Sequence, residues 1–320
     1  MRILSANDLR QALNMNDCIE AMRKAFLDVQ QGHYFMPLRS RVRPDGGANW
    51  MTLMPCMRMS KPARWALKQM VVTPSNSRAG MDPLQGAVLL HDGDTGKLLA
   101  MADVPTLTTL RTAAVTALAT RTLASSQVHE IAIIGMGVQG RTHVQAMRTL
   151  YPKAHIRVWG RSSGPTAAFA EQEGCIAAQT IQEALRDADV VCTVTASHDP
   201  VIELGWLKPS CHLNAVGSST PAARELDGAT LAAAELFVDR REAALSESGD
   251  VLGALRENAI TPDHIRAELG AVLAGLHPGR QSDQSFTVYK SLGFGAQDLA
   301  AIELALHNAT RLGLGTEVDV

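Results

Sequence analysis

The sequence predicts an α/β chain of two domains, one built on a parallel, dinucleotide-binding sheet and one mainly antiparallel. Three observations carry this. Residues 130–163 run as strand, glycine turn, helix, strand. Residues 36–103 are patterned as paired strands. A length of 320 residues suits about two domains.

The first observation is the most specific. Ile131-Ala132-Ile133-Ile134 is a short apolar run, as in a strand buried on both faces. Gly135-Met136-Gly137-Val138-Gln139-Gly140 follows it, then Val144, Met147 and Tyr151 at helical spacing, then Ile156-Arg157-Val158-Trp159 as a second strand. In that context G-x-G-x-x-G is a dinucleotide fingerprint. Gly135 allows the tight turn, Gly137 lets a pyrophosphate approach the backbone, and Gly140 lets the helix pack on the strand. The helix N-terminus then faces the phosphates. An NAD site commonly places an acidic residue at the end of the second strand. Here that strand ends in Gly160-Arg161-Ser162-Ser163. A guanidinium flanked by hydroxyls suits a 2′-phosphate, so NADPH is expected over NADH. An arginine after a strand is also compatible with simple solvation.

Composition narrows the function classes. A net charge of −2 gives no general pull toward nucleic acid or anionic membrane. The N-terminus has no signal-peptide apolar region, and no run suits a bilayer span. Cys18, Cys56, Cys175, Cys192 and Cys211 are odd in number and form no C-x-x-C pair, so reduced thiols in a cytoplasmic protein are expected. Zinc spacings and H-E-x-x-H are absent, so no metal site is expected.

In chain order, residues 5–31 read as one or two helices, capped by Ser5 or Asn7 and then by Asn16-Asp17 ahead of Ile19, Met22, Phe26 and Val29. Arg39, Arg41 and Arg43 alternate, so in a strand they share one face, suited to an anion or to a charged sheet edge. Residues 49–55 and 65–72 are further strands, the second interrupted by Lys68. A strand lysine commonly snorkels to water; if desolvated, it exchanges protons near neutrality. Residues 86–92 and 96–103 bracket the turn Gly93-Asp94-Thr95 as a hairpin. A helix over 106–123 carries Arg111 in its early part, and helix N-terminal amides plus arginine suit a carboxylate. Helices follow near 167–173 and 180–186, and strands near 188–195, 211–216 and 236–239. Ligands of open parallel sheets gather beyond strand C-termini, which marks Thr195, Ala196, Asn214 and Gly217 to Ser219. A last helix from Gln297 to about Leu312 is expected to return to the first domain. The domains then run 1–112 with 300–320, for substrate binding and dimerisation, and 113–299, for the dinucleotide.

Taken together, Leu53-Met54-Pro55, Lys68, Leu110-Arg111-Thr112-Ala113-Ala114 and the glycine motif resemble the ornithine cyclodeaminase and mu-crystallin family. The resemblance continues in Asn214-Ala215-Val216-Gly217, Arg224-Glu225-Leu226-Asp227, Glu247-Ser248-Gly249-Asp250 and Lys290-Ser291-Leu292-Gly293, and so covers nearly the whole chain. It implies a Rossmann-type NAD(P)-binding domain, an antiparallel domain that forms homodimers, and an active site between them. By motif it places a carboxylate clamp on Arg41, Lys68 and Arg111, with Thr52 and Ser219 also beside substrate. The cofactor set it implies adds Val216, Gly217, Ser218 and Gly293 to Gly135, Gly137, Val138, Gln139, Gly140, Gly160, Arg161, Ser162, Thr195 and Ala196.

Departures from the family pattern matter as much. Cyclodeaminases and the related alanine dehydrogenases are expected to carry an aspartate soon after N-A-V-G, where this chain has Ser218-Ser219. Cyclodeaminases also place a glutamate before L-M-P, where Thr52 stands. Three functions follow. The first is reduction of a cyclic ketimine carboxylate, 1-pyrroline- or 1-piperideine-2-carboxylate, to proline or pipecolate. The second is a cyclodeaminase or alanine-type dehydrogenase, disfavoured by Ser219 and Thr52. The third is a non-catalytic NADPH-dependent binding protein, disfavoured by the retained cationic clamp.

Overall fold

A computed structural model describes residues 1–319, and every side chain among them except those of Ser77 and Arg78. The chain divides into two compact units, Met1–Ala114 with the chain from Gly293 onward, and Val115–Leu292.

The first unit opens with β1 (Arg2–Leu4), α1 (Ala6–Ala12), α2 (Met15–Gln30), β2 (Tyr34–Phe35) and β3 (Ser40–Val42). Then come β4 (Trp50–Arg58), β5 (Arg64–Val72), β6 (Leu84–Asp92) and β7 (Leu98–Asp103), and the start of α3 (Val104–Leu123). Ser5 caps α1 in a reciprocal box with Asp8. The cap of α2 is Asn14 rather than Asn16-Asp17: its side chain accepts from the Asp17 N–H at 2.9 Å. Asp17 lies inside the first turn, where the helix dipole favours a carboxylate.

The second unit takes the rest of α3 and then β8 (Glu130–Ile134), α4 (Val138–Leu150), β9 (His155–Trp159), α5 (Ser163–Glu173), β10 (Ile176–Ala177), α6 (Ile181–Leu185), β11 (Val190–Thr193) and β12 (His212–Ala215). It continues with α7 (Gly228–Ala233), β13 (Glu235–Val238), α8 (Arg241–Glu247), α9 (Gly249–Arg256), β14 (Ile265–Glu268), α10 (Leu269–Leu273) and β15 (Thr287–Lys290). Its strands pair in parallel, in the order β10-β9-β8-β11-β12-β15-β13-β14. From β8 the chain winds outward to β10 and then crosses back to β11, so β8 and β11 flank the switch point of a Rossmann-type sheet. Every residue of β11, β12 and β15 is buried, as a sheet covered on both faces requires.

The polar side chains of β12 are paired. His212 shares hydrogen bonds with Thr287 Oγ1 at 2.8 Å and Asn214 Oδ1 at 3.2 Å. Burial holds its pKa down to about 3, so it is neutral. The Asn214 amide donates to Thr120 Oγ1 on α3 at 2.9 Å. Asn214 therefore ties β12 to α3 from inside the sheet.

The chain returns to the first unit with α11 (Gly295–Leu312) and β16 (Thr316–Glu317). The first sheet runs β16-β1-β7-β6-β5-β4-β2, with β3 also on β4. Helix α11 packs on α1, α2, β4, β5 and β6, which accounts for the alternation in β4. Thr52, Met54, Cys56 and Arg58 are buried toward the covered face, while Met51, Leu53, Pro55 and Met57 are half-buried on the other. A domain border after residue 299 would cut α11. The helix instead lies whole in the first unit, held by an edge-on contact of Phe294 with Phe26 at 5.1 Å and by Arg58 donating to Glu303 at 2.8 Å. Among the described residues no helix is long and apolar enough to cross a membrane.

Candidate functional site

Two constellations carry chemistry, one in each unit. In the second unit the glycine motif turns from β8 into α4. Gly135 has φ +118°, and a Cβ on it would lie 2.8 Å from the Val194 carbonyl oxygen. A Cβ on Gly140 would lie 2.2 Å from the Gly135 carbonyl oxygen. Nothing lies within 4 Å of the corresponding position on Gly137. The first and third glycines are thus fixed by turn and packing, and the second borders open space at the N-terminus of α4, which has no side-chain cap. Its first amides can serve an anion.

That turn opens on a cavity of about 540 Å³, within the range of small-molecule sites. Gly135 and Gly137 line it, as do Gly160, Arg161 and Ser162 at the end of β9 and Thr195 and Ala196 after β11. Met136, Trp159, Pro165, Val194, Ser197 and Val201 complete the wall; apolar and loop positions like these carry no periodic signal in the sequence. Arg161 and Ser162 are exposed, and β9 brings no carboxylate to its end. The donor set fits a dinucleotide with a phosphate at the Arg161 end.

The other residues expected at the cofactor or substrate have these surroundings. Val138 is 63% exposed at the start of α4. Gln139 keeps a buried Oε1 without a hydrogen-bond partner. Val216, Gly217 and Ser218 are not among the lining residues. The Gly217 N–H donates to Glu225 Oε2 at 2.7 Å, and the Ser218 carbonyl accepts from Lys290 Nζ at 2.6 Å. Ser219 is half-buried. Gly293 belongs to the first unit, where its carbonyl accepts from Arg39 Nη2 at 2.8 Å and a Cβ would come within 2.7 Å of Arg111 Nη1.

The first unit holds a buried ion cluster. Lys68 is 1% exposed, so it does not snorkel: α11 covers its face of the sheet. Its Nζ donates to Asp298 Oδ1 at 3.2 Å, and Arg111 Nε donates to the same oxygen at 3.1 Å. Arg111 Nη1 also donates to Gln297 Oε1 at 3.0 Å. Burial pulls the Lys68 ammonium down to about 8; Asp298 offsets part of this, and Arg111 and Arg39 push it lower. Asp298 Oδ2 and Gln297 Nε2 are buried without hydrogen-bond partners.

Strand register decides which early arginine joins. Met54 pairs with Lys68 across β4 and β5, and Ser40 pairs with Leu53 across β3 and β4. Carried one residue back, that register sets Arg39 level with Met54 and in the row of Lys68. Arg41 lies opposite Thr52, one pleat repeat away, and is exposed. Arg39 is the early arginine whose charge acts on Lys68, while Arg41, the one the family motif points to, stands one pleat repeat along the same face. Alternation tells which face a side chain takes, not which of three arginines sits over a given row. Thr52 is buried on the same face.

The helix-terminus idea also shifts. The Thr106 amide at the start of α3 is taken by the Asp103 carboxylate at 2.9 Å, and Arg111 lies further along the helix. The helix start beside Arg111 is that of α11, whose first turn supplies Gln297 and Asp298. Neither was singled out from sequence; an acidic residue opening a helix after Gly293-Phe294-Gly295 is the signal that could have found them. Lys68 and Arg111 share one carboxylate and Arg39 adds a third positive charge near Lys68, an excess that suits a bound carboxylate.

A model of the ornithine cyclodeaminase/mu-crystallin family matches residues 1–311. The chain is 34% identical over 307 residues to ketimine reductase mu-crystallin of Mus musculus, covering 94% of this chain and 95% of that protein. The structure of Thermococcus litoralis Delta(1)-pyrroline-2-carboxylate reductase in complex with NADH and L-proline aligns with a TM-score of 0.92 at 30% identity, over 99% of this chain and 100% of that one. An archaeal alanine dehydrogenase dimer with bound NAD aligns with a TM-score of 0.92 at 28% identity, over 100% of this chain and 99% of that one.

Proposed function

This chain belongs to the ornithine cyclodeaminase/mu-crystallin family, and from that premise we propose that it reduces a cyclic ketimine carboxylate, 1-pyrroline- or 1-piperideine-2-carboxylate, to the L-imino acid. The observation that carries the substrate class is the buried pair Lys68 and Arg111 sharing a single carboxylate, Asp298, with the half-buried Arg39 adding positive charge beside Lys68. A nicotinamide dinucleotide, when bound, supplies the hydride. Gly135, Gly137, Thr195 and Ala196 hold it, and Arg161 with Ser162 takes a 2′-phosphate, so that NADPH is preferred over NADH.

Arg111 and Arg39 orient the substrate carboxylate, and Lys68 completes its charge balance. A lysine brought down to about 8 exchanges its proton near neutrality, so Lys68 can also keep the ring nitrogen protonated before reduction. A protonated imine is already electrophilic, and reduction neutralises its charge. No carboxylate base is needed at Ser219. Ornithine must lose an amine proton and then expel ammonia, steps that call for such a base.

A second copy of the chain covers the other face of the first sheet. Antiparallel strands facing water carry polar residues, yet Met51, Leu53, Pro55, Met57, Leu67 and Leu89 stand half-buried there. The alanine dehydrogenase relative is a dimer. Sedimentation of wild type against Leu53→Glu tests the interface: a dimer converted to monomer supports it, and an unchanged monomer overturns it.

The test of the activity is NADPH consumption with both cyclic imines, set beside ammonia release from ornithine. Imine reduction without ornithine turnover is expected. Ammonia release with no reduction of either imine would overturn the proposal.

A further inference from the structure

The second unit contains a group of buried charges outside the cavity wall. Glu225, Asp250 and Lys290 are each fully buried. The Glu225 carboxylate accepts four hydrogen bonds. Oε1 takes the Thr195 N–H at 2.7 Å and the Thr195 hydroxyl at 2.8 Å. Oε2 takes the Thr193 hydroxyl at 2.8 Å and the Gly217 N–H at 2.7 Å. One side chain therefore clasps the segments that leave β11 and β12. They approach so closely that a Cβ on Gly217 would lie 2.1 Å from the Thr195 carbonyl oxygen.

The clasp is itself held. Asp250 Oδ1, at the start of α9, accepts the backbone N–H groups of Glu225 at 2.7 Å and Leu226 at 2.9 Å. Asp250 Oδ2 lies 2.9 Å from Lys290 Nζ, which also donates to the Ser218 carbonyl at 2.6 Å. Lys290 ends β15, the strand beside β12. Three adjacent strand ends are thus tied through one Lys–Asp–Glu series.

These ends have a definite place relative to the dinucleotide. The pyrophosphate belongs at the glycine turn after β8, and the adenosine ribose at the end of β9. The other half of the molecule then extends over β11 and β12. Resting on the assignment of the cavity to NADPH, we propose that Glu225 is a positioning residue for the nicotinamide half, holding Thr195 and the Gly217 segment where that half binds. Its carboxylate cannot be replaced by an amide. A glutamine would present N–H groups to either the Thr195 or the Gly217 amide, both of which are donors.

The experiment is equilibrium binding of NADPH and of 2′,5′-ADP, which carries the adenosine end alone, to wild type and Glu225→Gln, with melting temperatures in parallel. NADPH affinity should fall roughly tenfold or more, as for lost hydrogen bonds to a charged group, while 2′,5′-ADP affinity stays within about twofold. Asp250→Asn, which keeps an acceptor for the two amides but weakens the tie to Lys290, should show the same selectivity to a smaller degree. It carries the test alone if Glu225→Gln does not fold. Equal losses for both ligands, or no loss for either, would overturn the role of Glu225. Wild-type protein that binds neither ligand would overturn the cofactor assignment, and this proposal with it.

Discussion

The two buried lysines of this protein sit in opposite electrical surroundings. Lys290 donates to a carbonyl and faces Asp250, whose other oxygen is occupied by two backbone amides, and the neighbouring Glu225 has four donors. Lys68 has a longer bond to Asp298, an oxygen it shares with Arg111, while Asp298 Oδ2 and Gln297 Nε2 are left without hydrogen-bond partners. Around Lys290 one buried ammonium is set against two carboxylates, Asp250 and Glu225, and although Asp250 Oδ2 carries no hydrogen bond this near-balanced network fixes geometry. Around Lys68 the cations outnumber the carboxylate, and that desolvated positive charge is what an incoming anion can balance. On that difference rest the two proposed roles, one group to shape the cofactor site and one to bind substrate.

The sharpest way to break that contrast is to replace each lysine by methionine. Lys68→Met should lower kcat/KM for the imine about 10³-fold, the scale of losing a preorganised charged donor. It should leave melting nearly unchanged or raised, since Asp298 keeps Arg111 and a desolvated ammonium is gone. Lys290→Met should do the reverse, destabilising the fold by about 3–5 kcal/mol through an unpaired buried Asp250, as calorimetry or denaturant titration would record.

The arginine strand gives a smaller effect. Arg39→Ala should raise the imine KM by roughly ten- to a hundredfold, in line with loss of a charge-assisted contact. Arg41→Ala should change it by no more than about threefold, as for a solvent-exposed charge. The opposite ranking in steady-state kinetics would return the clamp to Arg41. Arg161→Ala should weaken NADPH binding by about 1.5–3 kcal/mol and leave NADH binding unchanged. Equal losses for the two cofactors would make Arg161 part of the scaffold.

The pH dependence follows from the Lys68 shift. Its folded value, about 8, lies below the ordinary 10.5. Above 8 the folded protein gives up a proton that the unfolded chain keeps until 10.5, so this group adds stability as pH rises across that window. Substrate affinity moves the other way, because the ammonium that balances the carboxylate is being lost. The imine KM should therefore climb above pH 8 while thermal stability does not fall on account of Lys68. A KM flat to pH 10 would show that Lys68 charge is not used in binding.

Much of this was legible in the residues. The glycine motif with its flanking strands located the Rossmann sheet, because turn, close packing and open approach each constrain one glycine. Alternation located the first sheet and showed that Lys68 interrupts an apolar strand. Burial of that lysine was not legible, since it depends on α11, which is distant in sequence. Asp298 and Gln297 were missed for the same reason. Arg39 and Arg41 share a parity that only the β3–β4 register separates. Position at strand ends marks Asn214 and Gly217, but not their pairing with Thr120 and Glu225. Long-range pairing decided each of these, and a local pattern does not contain it.

The most direct test of the substrate cluster compares NADPH-dependent reduction of 1-pyrroline-2-carboxylate with that of 1-pyrroline, which has the same ring and no carboxylate, in wild type and Lys68→Met. The wild-type enzyme should prefer the carboxylate by about 10³-fold in kcat/KM, and Lys68→Met should lose most of that preference while its rate on 1-pyrroline changes little. Equal rates on the two imines in the wild type would contradict the assignment of Lys68, Arg111 and Arg39 as the carboxylate site.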